Sequence, residues 1–206
     1  MPKIIDPDER RREIVRAACR VIIGQGVAAL SLTSVAAESG LAIGSVRHYV
    51  GGHDDLRRLT LQIIGDDLML RLNESARPLI YPGAGLSVAA RRRRSLEWLE
   101  QLLPMDDDRL AEATIWTAMR EAARTDPELA AVMAGIDGRR LALVRRVLGR
   151  VRPHWSPAVR AVESRRLSAL LRGLTIERVY EPESVTPAQV QRVLRQHLSQ
   201  LAQARR

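Results

Sequence analysis

Arg47, His48 and Tyr49 stand side by side, His53 follows just after Gly51-Gly52, and the small residues Ala42, Gly44 and Ser45 precede them all. Guanidinium, imidazole and phenol groups crowded into so short a stretch could exchange protons with a substrate, or could donate hydrogen bonds to something large and flat. Catalysis requires more than this. His48, His53, His154 and His197 are the only histidines, and no pair has metal-ligand spacing. The chain has no serine-centred nucleophile elbow, no phosphate-cradling glycine loop and no paired-carboxylate motif. Asp106, Asp107 and Asp108 form an acidic triplet, which reads as a helix cap rather than a metal site. We therefore expect no metal, no cofactor and no enzymatic activity.

The elements that would carry the Arg47–His53 cluster are helices. Ile14, Ala18, Val21 and Ile22 recur at helical spacing, which predicts a first helix over Asp8–Gly24, with Asp8 and Glu9 at its positive end. Ser31 caps a second helix that Gly40 ends, and a third runs from Ile43 to Val50 until Gly51-Gly52 breaks it. Three short helices with a tight turn between the second and third describe a helix-turn-helix module, whose third helix enters the DNA major groove. In that setting Ala42, Gly44 and Ser45 permit close approach, and Arg47, His48 and Tyr49 supply donors. Further helices are predicted over Asp54–Ala76, Ser87–Leu103 and Asp107–Arg124, from a cap-and-proline start at Thr125–Glu128 to Arg150, and over Pro157–Tyr180 and Pro187–Ala204, with a loop through Pro78 and Gly83–Gly85. The expected fold is all-α, with about nine helices.

Composition agrees. Hydrophobic residues make up 46% of the 206, yet there is no Phe and only three Trp and three Tyr, so the core is aliphatic. One cysteine, Cys19, excludes an internal disulfide. Without a long apolar run or a signal-peptide pattern, the expectation is a cytoplasmic protein with no membrane partner. The net charge of +9 invites a nucleic-acid reading, but residues 1–60 hold only nine cations against seven anions. Lys3 is the sole lysine, and this arginine bias fits a GC-rich genome. The run Arg91–Arg94 reads as a solvated helix start.

The segment "REIVRAACRVIIGQGVAALSLTSVAAESGLAIGSVRHYVGGHDDL", Arg12 to Leu56, resembles the tetracycline-repressor (TetR) family of bacterial transcription regulators. Ser31, Val35-Ala36 and Gly40-Leu41 fit its pattern. Arg47 stands where that family usually has Tyr, Tyr49 where it often has His, and Val50 where it often has Phe. His53 replaces a phosphate-binding Lys. "VRHY" and the later segments "LLPMDDDRLAEATIW", "TDPEL" and "LLRGLTIERVYEPESVTPAQV" are similar to the betaine-regulator branch.

The resemblance implies a DNA-binding domain over residues 1–55 and a helical effector-binding and dimerisation domain over 56–206. It implies DNA contacts from Thr33, Ile43, Gly44, Ser45, Arg47, His48, Tyr49 and His53. Trp98, Trp116, Met119 and Met133 are candidates for an effector pocket, as is Arg92, which sits on an apolar stripe and must either snorkel out or meet a partner. A quaternary-ammonium cage would need more aromatics than these. The last two helices would pair with their copies in a homodimer, through Val159, Val162, Leu167, Leu170, Leu171 and Leu174, although part of this stripe must be intrachain core. The expected partners are a double-stranded DNA operator, a second copy and a small-molecule effector of unknown identity. The alternatives are a ligand-independent regulator of the same fold, or a non-specific basic nucleic-acid-binding protein.

Overall fold

The computed structural model describes residues 6–82 and 87–203. The loop expected at Gly83–Gly85 lies outside them. Among the described residues there are nine α-helices and no strand: α1 (Pro7–Gln25), α2 (Leu32–Ser39), α3 (Ile43–Val50), α4 (His53–Ile80), α5 (Val88–Glu100), α6 (Asp107–Ala122), α7 (Pro127–Val151), α8 (Pro157–Tyr180) and α9 (Pro187–Gln203). A single 3₁₀ turn, Val27–Ala29, joins α1 to α2.

Local chemistry sets these boundaries. Ser31 Oγ accepts from Ser34 N at 3.0 Å while Ser34 Oγ accepts from Ser31 N at 2.9 Å, a reciprocal cap that starts α2. Asp106 accepts from Arg109 N at 2.9 Å, so the acidic triplet does cap α6, and Asp126 does the same for α7 through Leu129 N at 3.0 Å. Thr186 and Gln189 cap α9 reciprocally, with Pro187 in the first turn. α4 runs four residues beyond its expected end and contains Pro78. The proline falls in the last turn, where only one ladder bond is lost; Tyr81 N still reaches Arg77 O at 2.9 Å, and Leu79 and Ile80 are buried. α5 is shorter than expected, ending at Glu100 in a turn through Leu103.

The described residues form two compact units that are not consecutive in sequence. The first comprises residues 1–67 and 114–136. Its core joins Ile14, Ala18 and Val21 of α1, Val35 of α2 and Val46 of α3 to Leu56, Leu61, Met119, Leu129 and Met133. This compact unit is larger than a 1–55 module: the three short helices close their core with the first half of α4 and with parts of α6 and α7. Truncating a fully buried methionine such as Met119 costs about 2–5 kcal/mol, so these later helices contribute to the stability of the helix-turn-helix itself.

The second unit comprises residues 68–113 and 137–206. Trp98, Leu99, Leu143, Val147, Leu167 and Leu194 are among its buried side chains. Trp98 Nε1 donates to Leu72 O at 3.3 Å. The guanidinium of Arg178, only 6% exposed, donates to the carbonyls of Pro104, Pro182 and Val185 and pins the turn before α9. No helix among the described residues is long and apolar enough to cross a membrane.

Candidate nucleic-acid interface

α3 presents its functional side chains because two valines anchor its other face. Val46 and Val50 are buried against α1 and α2, and this turns Ile43, Gly44, Arg47 and His48 outward. Gly40 ends α2 in the left-handed region (φ 71°), allowing Leu41 N to bond Ala36 O at 3.1 Å and the chain to re-enter a helix within three residues. Gly51 ends α3 at φ 85°, ψ −133°, a conformation that side chains rarely adopt.

The expected contact residues divide by exposure. Thr33, on the first turn of α2, is exposed, as are Ile43, Gly44, Arg47, His48 and His53; Ser45 and Tyr49 are half-buried. Tyr49 is therefore partly a packing residue. Its ring meets that of His48 edge-on at 5.0 Å, and its backbone carbonyl accepts from Arg11 Nε at 3.3 Å. Arg47 makes no side-chain hydrogen bond or ion pair among the described residues, and neither possible intrachain partner engages it: Glu38 is held by Arg20 at 2.6 Å, and Asp54 is exposed. Arg47 is a free, exposed cation on the outward face of the second helix of a helix-turn-helix.

His53 begins α4, where backbone N–H groups would attract a phosphate. One of those donors is already used. Asp55 Oδ2 accepts from Gly52 N at 2.8 Å and Asp55 also binds Arg58, and these two bonds hold its carboxyl below the usual carboxylate range. The G-x-x-D spacing of Gly52 and Asp55 is the sequence signal for this one-way side-chain cap. Arg58 continues to Glu128, and Arg57 lies 3.8 Å from Asp126, so charged pairs tie the start of α4 to the start of α7.

The residues expected to line an effector pocket fall in different units. Met119 and Met133 are core of the first unit, and Trp116 packs against that core. Trp98 belongs to the second unit. Arg92 is exposed and donates to Ser199 Oγ and Arg195 O on α9, so it snorkels outward and is a helix tie rather than a pocket residue. Trp98 does line a small apolar cavity of the second unit, and the arginine that reaches it is Arg152, which nothing in the sequence distinguished from its many arginine neighbours.

The α8 stripe resolves into two faces. Leu167, Leu171 and Leu174 are buried inside the protomer, so they are intrachain core and not free to meet a second copy. Val159 and Val162 lie on an outward face with Ile176 and Tyr180, all at least 40% exposed. Leu170 is half-buried and lines an open groove of about 780 Å³ with Val193 and His197 of α9.

The profile of the "BetI-type transcriptional repressor, C-terminal" family matches residues 91–203, more than half of the chain. The chain belongs to the TetR family of transcriptional regulators. Over its whole length it is similar to the regulator PksA of Bacillus subtilis, 27% identical across 98% of this chain and 94% of PksA. BetI of Brucella abortus is 34% identical over 82 residues, covering 38% of this chain and 41% of that one. Solved structures share the fold. A transcriptional regulator from Rhodococcus sp. Rha1 superposes with a TM-score of 0.78 at 24% identity, covering 94% of this chain and 96% of that one. A regulator from Saccharomonospora viridis, solved in complex with choline, gives 0.74 at 19% identity over 95% and 96%. TetR-family proteins are DNA-binding regulators of the repressor type, not enzymes; they usually dimerise.

Proposed function

We propose that this TetR-family protein is a homodimeric, sequence-specific repressor that binds a pseudo-palindromic operator through α3 and leaves it when a small molecule binds the second unit. The observation that carries the reading is Arg47, exposed and unengaged on a helix whose opposite face is locked by Val46 and Val50. In this reading residues 1–55 hold the DNA contacts (Thr33, Ile43, Gly44, Ser45, Arg47, His48 and His53, with Tyr49 orienting His48), and residues 56–206 provide dimerisation and effector binding. The outward faces of α8 and α9 meet their copies about a two-fold axis. The ion pairs between the starts of α4 and α7 give a displacement of α7 a charged route to the helix that follows α3.

A footprint on the DNA beside the protein's own gene tests this. The expected result is one discrete protected site with two symmetric half-sites about one helical turn apart. Uniform protection or none overturns it. A ligand-independent regulator is the second reading, favoured by the size of the Trp98-lined cavity in the second unit, about 30 Å³. Effectors of drug size occupy several hundred cubic ångströms. That reading predicts an operator complex that no small molecule dissociates.

A further inference from the structure

A small, partly open cavity of the second unit lies among α5, α7, α8 and α9, and Trp98, Leu99, Val147, Leu148 and Leu167 form its apolar wall. Two polar side chains reach it, Ser95 and Arg152. The Ser95 hydroxyl is satisfied, donating to Arg91 O at 3.0 Å. Arg152 is not. Its guanidinium is half-buried and makes no hydrogen bond or ion pair among the described residues. Burial pushes its pKa below the ordinary arginine value, and the like charge of Arg91 acts in the same direction.

Several other poorly exposed arginines of this unit are compensated, although half-buried Arg94 is, like Arg152, without a side-chain hydrogen bond or ion pair among the described residues. Arg178 has three carbonyls, Arg71 has Glu112 at 2.8 Å, and Arg109 has Gln101 at 2.8 Å. A guanidinium withdrawn from water without a counter-charge is costly, and arginine does not relieve the cost by losing its proton. Its planar fork matches a carboxylate in two parallel hydrogen bonds. The charge of the whole unit favours the same visitor: residues 68–113 and 137–206 carry 22 cations against 12 anions. The space behind the guanidinium is apolar and takes about two water-sized volumes, which fits the end of an alkyl chain.

We infer that Arg152 and the cavity walled by Trp98, Val147 and Leu167 form an effector site for a short aliphatic carboxylate. The inference rests on the ligand-responsive reading and names its ligand class. It separates this chain from the choline-bound Saccharomonospora regulator of the same fold. The Arg152 guanidinium repels a quaternary ammonium, and a cage for such a cation needs several aromatic faces where this cavity has one, Trp98.

The test titrates butyrate, hexanoate and octanoate into the full-length protein, with hexylamine and choline as controls, reading Tm and tryptophan fluorescence. Hexanoate is expected to raise Tm and saturate, and the two cations to do neither. Arg152→Gln should weaken hexanoate binding about tenfold or more, as loss of a charged hydrogen-bond partner implies. Arg152→Lys should recover part of it. Retained operator binding and helical circular dichroism in Arg152→Gln exclude misfolding as the cause. The inference is overturned if no carboxylate binds, if choline binds as well as hexanoate, or if a folded Arg152→Gln binds hexanoate like wild type. Hexanoate binding that depends on Arg152 but leaves operator affinity unchanged upholds the site and overturns the release reading instead.

Discussion

Gly51→Ala should destabilise the protein more than any other single alanine placed between α2 and α4, for two separable reasons. At φ 85°, ψ −133° the backbone lies where an L-residue is strained, which costs about 1–3 kcal/mol. For a chain of this size that is a fall in Tm of roughly 2–12 °C. In addition, a Cβ built there comes within 2.6 Å of Asp55 Oδ2 and 3.1 Å of Asp55 Cγ. Asp55 cannot simply turn away, because the same oxygen accepts from Gly52 N and holds the first turn of α4. Gly40→Ala is the internal control. Gly40 also has positive φ (71°), but nothing lies within 4 Å of its added Cβ, so it should pay only the left-handed cost of about 1–2 kcal/mol. The assay is urea unfolding at one fixed protein concentration, since dimerisation would couple to the midpoint. In an Asp55→Ala background, Gly51→Ala should lose its steric share and fall toward the Gly40→Ala value, a measurable coupling. Equal midpoints for Gly51→Ala and wild type, or strict additivity with Asp55→Ala, would refute the reasoning.

Arg47→Ala should leave Tm unchanged and weaken operator binding; if Arg47 reads a guanine, preference falls by about 1–3 kcal/mol at one symmetric base pair, and if it binds phosphate all sequences weaken alike with a shallower salt dependence. A variant carrying Val162→Glu and Ile176→Glu should be monomeric by light scattering with its helical content intact, since both residues face outward; an unchanged dimer places the interface elsewhere. Burial lowers the pKa of His197, outweighing the pull of Glu163 and reinforced by Arg166, so the unfolded chain binds the proton more tightly and stability falls as pH drops below about 6.5 toward the folded-state value. His197→Gln should flatten that pH dependence in urea unfolding; a profile identical to wild type would assign the effect to another group.

Helix boundaries were legible because capping is local: Ser31, Asp106, Asp126, Ser156 and Thr186 each bond an amide two or three residues on, and such spacings survive in the bare sequence. Pro78 shows the limit. Its local preference to end α4 is overruled by the burial of Leu79 and Ile80, which no local rule contains. The same limit governs the cores. Helical periodicity marks Met119 and Met133 as inward, but what they pack against is set by residues far away in sequence. On α8, Val159 and Leu167 read alike as apolar; only the packing separates a solvent-facing stripe from a buried one. Arg92 on α5 and Arg152 just past the end of α7 look alike in the sequence, and their difference lies in their surroundings: one finds Ser199 and a carbonyl, the other an apolar wall.

Charge brings the interface and the effector site into one argument. The unit that holds the helix-turn-helix carries 11 cations and 12 anions, so it has no positive field to draw DNA as a whole. Many of its arginines are also committed: Arg11 to Asp8, Arg12 to Asp67, Arg20 to Glu38 and Arg58 to Asp55. What remains for DNA is local: the uncommitted Arg47 with His48 and His53 nearby in sequence, and the exposed Arg16 of α1, which also has no side-chain hydrogen bond or ion pair among the described residues. A protein with few phosphate contacts has modest non-specific affinity and a shallow salt dependence, so recognition must lean on base edges and on the fit of α3 in the groove. The surplus of positive charge sits instead in the unit with the Trp98-lined cavity, where DNA contacts are not expected and a small anion is. An arginine-rich chain thus separates two electrostatic tasks: a nearly neutral surface that reads shape and bases, and a basic unit that concentrates an acidic effector beside the half-buried, uncompensated guanidinium of Arg152.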